Sequence, residues 1–162
     1  MSAPNQIAAN DLVACLPYLR RYARVLAGEA HEADDLVAAT VGLARAATSR
    51  PAQGSLRGQL FGLMHKLFLA QGPRPRHTAV PGNAAPGPAT AARSTALTHF
   101  QRLPVEEREV LLLVAVEGMG YDEIAQALGV PLGTVVARLK RARELMRAVH
   151  PGGSGHEPQA GG

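Results

Sequence analysis

Two apolar stripes of helical period meet at Gly129-Val-Pro131, and no single helix can run through that point. Before it, Ile124, Ala125 and Leu128 recur at three- and four-residue steps; after it, Leu132, Val135, Leu139, Ala142 and Met146 do the same. Gly129 can take the left-handed conformation that ends a helix, and Pro131 has no N–H with which to continue one. The spacing therefore predicts a short helix, a turn and a longer helix, the sequence form of a helix-turn-helix. Ala125 sits where the two helices would cross, and a small residue suits that place.

The second of these helices is strongly basic. Arg138, Lys140, Arg141, Arg143 and Arg147 lie off its apolar stripe, against Glu144 as the acidic residue. Such a face neutralises phosphates, and its binding weakens as salt rises. The plainer alternative is a solvated helix whose cationic end complements its own dipole. Spacing, turn and charge together favour duplex DNA as the partner, read in the major groove.

The rest of the chain divides by composition. Residues 71–95 hold five prolines, three glycines and almost no large apolar side chain, too little to bury and order itself. Residues 1–10 are read as an N-terminal extension, 11–71 as one helical domain, 72–95 as a linker, 96–149 as a second helical domain and 150–162 as a disordered tail. No alternating pattern long enough for a sheet occurs. The expected fold is all-α, with two small helical domains on a tether: a three-helix bundle and a four-helix domain carrying the helix-turn-helix. At about 55 to 60 residues, each core should be marginal alone.

In the first domain, Asp11 to Ala27 carries Leu12, Leu16, Leu19, Tyr22, Ala23 and Leu26 inward, with Pro17 predicting a kink or a fresh first turn. A second helix from about His31 to Thr48 turns Ala33, Leu36, Val37, Thr40 and Ala44 inward. A third follows a Ser55 cap, with Leu56, Leu60, Leu63, Met64 and Leu67 on one stripe. In the second domain, Pro104 suits the first turn of a helix running towards Gly118. Glu106, Glu107 and Glu109 suit that helix's positive end.

Chemistry beyond binding finds little support. The six histidines are scattered and form no pair of metal-ligand pairs. Cys15, the single cysteine, sits among apolar neighbours as a small core residue would, and fits a reducing cytoplasm. No glycine-rich phosphate loop precedes a helix. No enzyme activity, metal or cofactor is expected. The longest apolar run, Val110 to Val116, is too short to span a bilayer, so a cytoplasmic chain without membrane contact is expected. Glu29, Glu32, Asp34 and Asp35 at the second helix's start read either as a solvated cap or as an acidic docking patch. Arg20, Arg21 and Arg24 read as a solvated strip or a binding face.

With both domains laid out, the chain resembles an RNA polymerase sigma factor of the extracytoplasmic-function type, in the sigma-70 family. Leu103-Pro104 with Glu107-Arg-Glu-Val-Leu-Leu-Leu113, Tyr121-Asp-Glu-Ile-Ala125, Leu128-Gly-Val-Pro131, Gly133-Thr-Val135 and Arg141-Ala-Arg143 are similar to its promoter-reading unit, sigma domain 4. Leu19-Arg-Arg-Tyr-Ala-Arg24, Ala33-Asp-Asp-Leu-Val37 and the segment around Leu56-Arg57, Leu60-Phe61 and His65 are similar to sigma domain 2. The resemblance implies that Asp34, Asp35, Leu36 and Val37 dock on the clamp of the largest subunit of core RNA polymerase, and that domain 2 opens the −10 element. It implies that Tyr121, Thr134, Val136, Ala137, Arg138, Lys140, Arg141 and Arg143 face −35 promoter DNA at stress-response promoters. An anti-sigma factor is a further partner the resemblance allows.

The chain departs from the family pattern at several places. Val136-Ala137 stand where a polar or basic pair is usual, leaving apolar contact such as that with a thymine methyl. Ala38, Gln59, Lys66 and Ala70 replace the usual Gln, Trp, Asn and Asp, and the chain has no tryptophan to stack on an unpaired base. These changes keep open an alternative, a sigma-like decoy that sequesters an anti-sigma factor. A helix-turn-helix regulator acting without polymerase is the third reading, and it leaves Asp34 to Val37 unexplained.

Overall fold

A computed structural model describes residues 9–46, 54–72 and 96–148, and all of its regular elements there are helices. They are α1 (Ala9–Ala27), α2 (Ala30–Ala46), α3 (Leu56–Ala70), a segment at residues 96–102 (α4), α5 (Val105–Ala115), α6 (Tyr121–Leu128) and α7 (Leu132–Ala148). Residues 1–8 of the expected extension, 73–95 of the linker and the whole tail lie outside the described residues, while residues 9 and 10, assigned to the extension, belong to α1.

The first three helices pack on one another as a bundle. Leu12, Leu19, Tyr22, Ala23 and Leu26 of α1 are buried, and Pro17 lies inside one continuous helix on its exposed side. The fresh turn that Pro17 allowed does not form. All five residues expected inward on α2 are buried. Thr40 satisfies its hydroxyl by donating to the Leu36 carbonyl at 2.7 Å. Ser55 caps α3 as expected, its side chain accepting from the Gly58 N–H at 3.0 Å. One apolar stripe does not account for α3, however, because Gly58, Phe61, Gly62 and His65 are buried together with Leu60 and Met64. This helix is covered on two sides.

The second cover is the other domain. Helices α5, α6 and α7 pack together, and in addition α6 lies on α3 and α5 lies on α1. The buried side chains form one cluster running from Leu12 through Phe61 and Val110 to Leu139. Two cores too small to be secure alone are thereby merged into one. The crossing of α3 and α6 is very close: a β-carbon at Gly62 would stand 2.5 Å from the Ala127 carbonyl oxygen. The tight approach of α6 is therefore at Ala127, against α3. Ala125, the small residue expected at the α6–α7 crossing, is half-buried.

Within the second domain, Gly129 ends α6 with φ of 66°, and Val135, Leu139 and Ala142 are the buried edge of α7. Helix α5 stops at Ala115, short of Gly118. Glu106 and Glu107 occupy its first turn as expected. Glu109 does not act as a solvated dipole partner: it is 1% exposed, because its place in α5 turns it towards α1 and α3.

Candidate nucleic-acid interface

The burial of Val135, Leu139 and Ala142 fixes the rotation of α7, and with it everything on the opposite face. Val136, Ala137, Lys140, Arg141, Arg143 and Arg147 are exposed, while Thr134 and Arg138 are half-buried. Tyr121, at the start of α6, is also exposed and joins Val136, Lys140 and Arg143 around a shallow depression. All eight residues expected to face DNA thus lie on α6 and α7, and none is buried. Lys140 Nζ lies 4.0 Å from Glu144 Oε1, and Arg141 Nε lies 3.5 Å from Glu107 Oε1. Both cations are largely solvated, so these pairs hold them weakly and phosphate oxygens can displace them.

The proposed polymerase-facing residues separate into two kinds. Asp34 and Asp35 are exposed on α2, and Asp35 Oδ2 lies 3.4 Å from His31 Nδ1. Leu36 and Val37 are core residues, 1% and 8% exposed. Their side chains hold α2 in the bundle, and the two carboxylates are the members of this set open to solvent.

Polar groups that no local pattern singles out meet between the two domains. Tyr22 on α1 donates its hydroxyl to Glu109 Oε1, and His65 Nδ1 on α3 lies 2.7 Å from the same oxygen. An ionised carboxylate only accepts, so Nδ1 carries the hydrogen of that bond. Tyr22 also packs on Phe61, with ring centroids 4.7 Å apart. Beside this cluster, Arg21 Nε lies 2.8 Å from Oε1 of the buried Glu117 as an ion pair without the directed geometry of a hydrogen bond, and Arg57 Nη1 lies 3.9 Å from its Oε2. Both guanidinium groups stand over the Tyr18 ring, 5.6 and 5.2 Å from its centroid. The basic strip of α1 is thus divided: Arg20 and Arg24 are exposed, and Arg21 is partnered across the domains. At the far edge Ser55 donates to Glu123 Oε1.

Burial, and then the neighbouring Glu109 carboxylate and its hydrogen bond, push the Tyr22 phenol well above its ordinary pKa. An ionised Tyr22 is favoured only in the unfolded chain, so its stabilising contribution is whole below about pH 10 and lost as pH rises further. Tyr22→Phe should therefore flatten the fall of stability above about pH 10, by up to about 1.4 kcal/mol per pH unit, as read from urea midpoints against pH. Burial also raises the half-buried Cys15 thiol, with Arg57 opposing and Asp11 adding to the shift. A raised thiol is a poor nucleophile at neutral pH.

The arrangement matches known proteins in both halves. Residues 97–146 match the family model "Sigma-70, region 4", and residues 12–65 match "Sigma2 domain of PhyR". Over 150 residues the chain is 32% identical to the ECF RNA polymerase sigma factor EcfG of Rhodopseudomonas palustris, covering 86% of this chain and 83% of that protein. It is 31% identical to the ECF RNA polymerase sigma factor SigE of Mycolicibacterium smegmatis over 78% of this chain, spanning 55% of that relative's length. Among solved structures, the fold is similar to the sigma factor RpoE of Bartonella quintana, in its complex with the anti-sigma factor NepR. That match has a TM-score of 0.71 and 24% identity, and covers 87% of this chain and 94% of the other. The PhyRSL–NepR complex from Sphingomonas sp. Fr1 is similar with a TM-score of 0.63 and 24% identity, over 94% and 99% of the two chains. With sigma regions in both halves and a relative 32% identical over 83% of its length, the chain belongs to the ECF family of RNA polymerase sigma factors.

Proposed function

We propose that this chain binds core RNA polymerase and directs it to promoters, that α6 and α7 read the −35 element, and that an anti-sigma protein restrains it. The observation that carries the reading is the outer face of α7. A decoy has no need of a helix whose Lys140, Arg141 and Arg143 all stand free of the core and aimed outward beside Val136. The α6–α7 geometry lets that face enter a major groove while α6 crosses the backbone. Asp34 and Asp35 supply a charged surface on the opposite domain for the enzyme. An anti-sigma partner is supported by the similar structures, both described in complex with NepR.

A second reading has an observation of its own. The first domain matches the sigma-like domain of PhyR, and the PhyR of Bartonella quintana is described as an anti-anti-sigma factor complexed with NepR. Run-off transcription from the region upstream of the coding sequence, using purified chain and core polymerase, separates the two. Transcripts support the sigma factor; capture of a NepR-type protein with no transcript supports the decoy.

The Arg141–Glu107 pair offers a finer test of the groove assignment. Glu107→Gln removes the competing carboxylate 3.5 Å from Arg141 and should tighten promoter binding a few-fold at low salt, fading as salt rises. Fluorescence anisotropy across a salt series reads it, and unchanged affinity at every salt concentration would show that Arg141 does not reach DNA.

A further inference from the structure

Along its outer face, α7 changes character partway. Its first residues, Leu132 to Ala137, carry no charge, and every later turn carries a cation. Leu132 and Val136, one turn apart on the same side, are 44% and 46% exposed, and Gly133 and Ala137 beside them are open to solvent as well. Glycine weakens a helix relative to alanine, yet a β-carbon at Gly133 would meet nothing within 4 Å. At Gly62 the Ala127 carbonyl accounts for the missing side chain; at Gly133 no neighbour among the described residues does. A backbone bared in this way, between exposed apolar side chains, suits the close approach of something outside the chain.

The charges behind this tip indicate what approaches it. Lys140, Arg141, Arg143 and Arg147 continue the exposed face and suit a polyanion, and B-form DNA has a groove wide enough to admit a helix. A recognition helix brings its N-terminal residues to the base edges. At 1.5 Å per residue, Val136 and Arg147 stand about 16 Å apart along the axis, more than the roughly 12 Å width of the major groove. The tip therefore meets bases while the cations behind it meet the flanking strands. Valine, leucine and alanine side chains offer no donor and no acceptor. Of the groups that bases present in this groove, thymine's C5 methyl is the one that gains from such a surface. The polar edges of the other bases would lose water there with nothing to replace it.

We propose that the uncharged tip of α7, with Val136 at its centre and Gly133 giving it room, selects T·A pairs in the −35 element by burying thymine methyl groups. Sequence is then read by apolar contact, and the basic length of the helix holds the backbone. The inference rests on the groove reading above, and its test keeps the two apart. The full chain, assembled with core polymerase, is offered duplexes randomised across the −35 region. The retained sequences should hold thymine at one position or at two adjacent ones. In a retained duplex each thymine is then replaced by deoxyuridine, which removes the methyl and nothing else. At the contacted position this should weaken binding about four-fold, the worth of one buried carbon's apolar surface. Since no charge is involved, the factor should be the same at every salt concentration, unlike the loss on removing a cation.

Two variants locate the effect on the protein. Val136→Ala should bind the thymine and deoxyuridine duplexes alike. Gly133→Ala should keep or raise the thermal midpoint, because alanine favours a helix, and still weaken binding several-fold. The proposal is overturned if no deoxyuridine alters wild-type affinity, if Val136→Ala stays as sensitive to it as the wild type, or if Gly133→Ala binds as tightly. In each case salt-dependent, sequence-selective binding through Lys140 and Arg141 would leave the groove reading standing. A retained pool with no sequence preference across the −35 region overturns both.

Discussion

Glu109→Ala should cost about 3 kcal/mol of folding stability, the sum of two buried donors left without an acceptor at roughly 1 to 3 kcal/mol each. The Tyr22 hydroxyl and His65 Nδ1 both meet Glu109 Oε1, and all three side chains are buried. Removing the carboxylate takes away the one oxygen that both the phenol and the imidazole meet. Chemical denaturation read by circular dichroism gives the number. The decisive comparison is the double variant Tyr22→Phe/Glu109→Leu, which removes donor and acceptor together and restores apolar volume. It should recover about half of the loss, the Tyr22 share, because that pair is removed whole while His65 Nδ1 still lacks its acceptor. If the double variant were as unstable as the sum of its parts, the two groups would not be coupled, and the hydrogen bond between them would carry no energy.

That cluster also shows where sequence reading stops. Helix-turn-helix, caps and core stripes were legible because each is a local pattern: Gly129 at a helix end, Ser55 before α3, apolar residues at 3.6-residue period. Period alone placed Leu36, Val37 and Thr40 inward, and they are. Tyr22 and Glu109 are separated by 87 residues, and His65 and Glu109 by 44, so no window of sequence contains the cluster. Glu109 followed Glu106 and Glu107 and had the composition of a solvated first turn. Only the docking of α5 on α1 distinguishes it from them. Nothing local marks Gly62 either, and only the Ala127 carbonyl explains it. Leu36 and Val37 matched the docking motif in sequence, and the structure places both in the bundle's core. A family motif preserves scaffold and contact residues together, and burial is needed to separate them.

The triple substitution Lys140→Ala/Arg141→Ala/Arg143→Ala should abolish promoter binding for practical purposes while leaving the fold intact. Each cation that neutralises a phosphate contributes about 0.9 to the slope of log affinity against log salt, so three should lower its magnitude by roughly 2.7. Near 0.1 M salt the same term weakens binding about 500-fold. The fold should survive because the three side chains are exposed, and their ion pairs with Glu144 and Glu107 are solvent-screened. Arg138 is left in place because it is half-buried, and removing it would mix packing with charge. Arg45→Ala supplies the control, since it deletes an exposed cation from the last turn of α2, outside the α6–α7 unit. Anisotropy with a promoter fragment over a salt series should show the control keeping the wild-type slope and the triple variant losing most of it. A triple variant that kept the wild-type slope would place the phosphates elsewhere on the molecule. Arg20 and Arg24 on the exposed side of α1 would then be the next cations to remove.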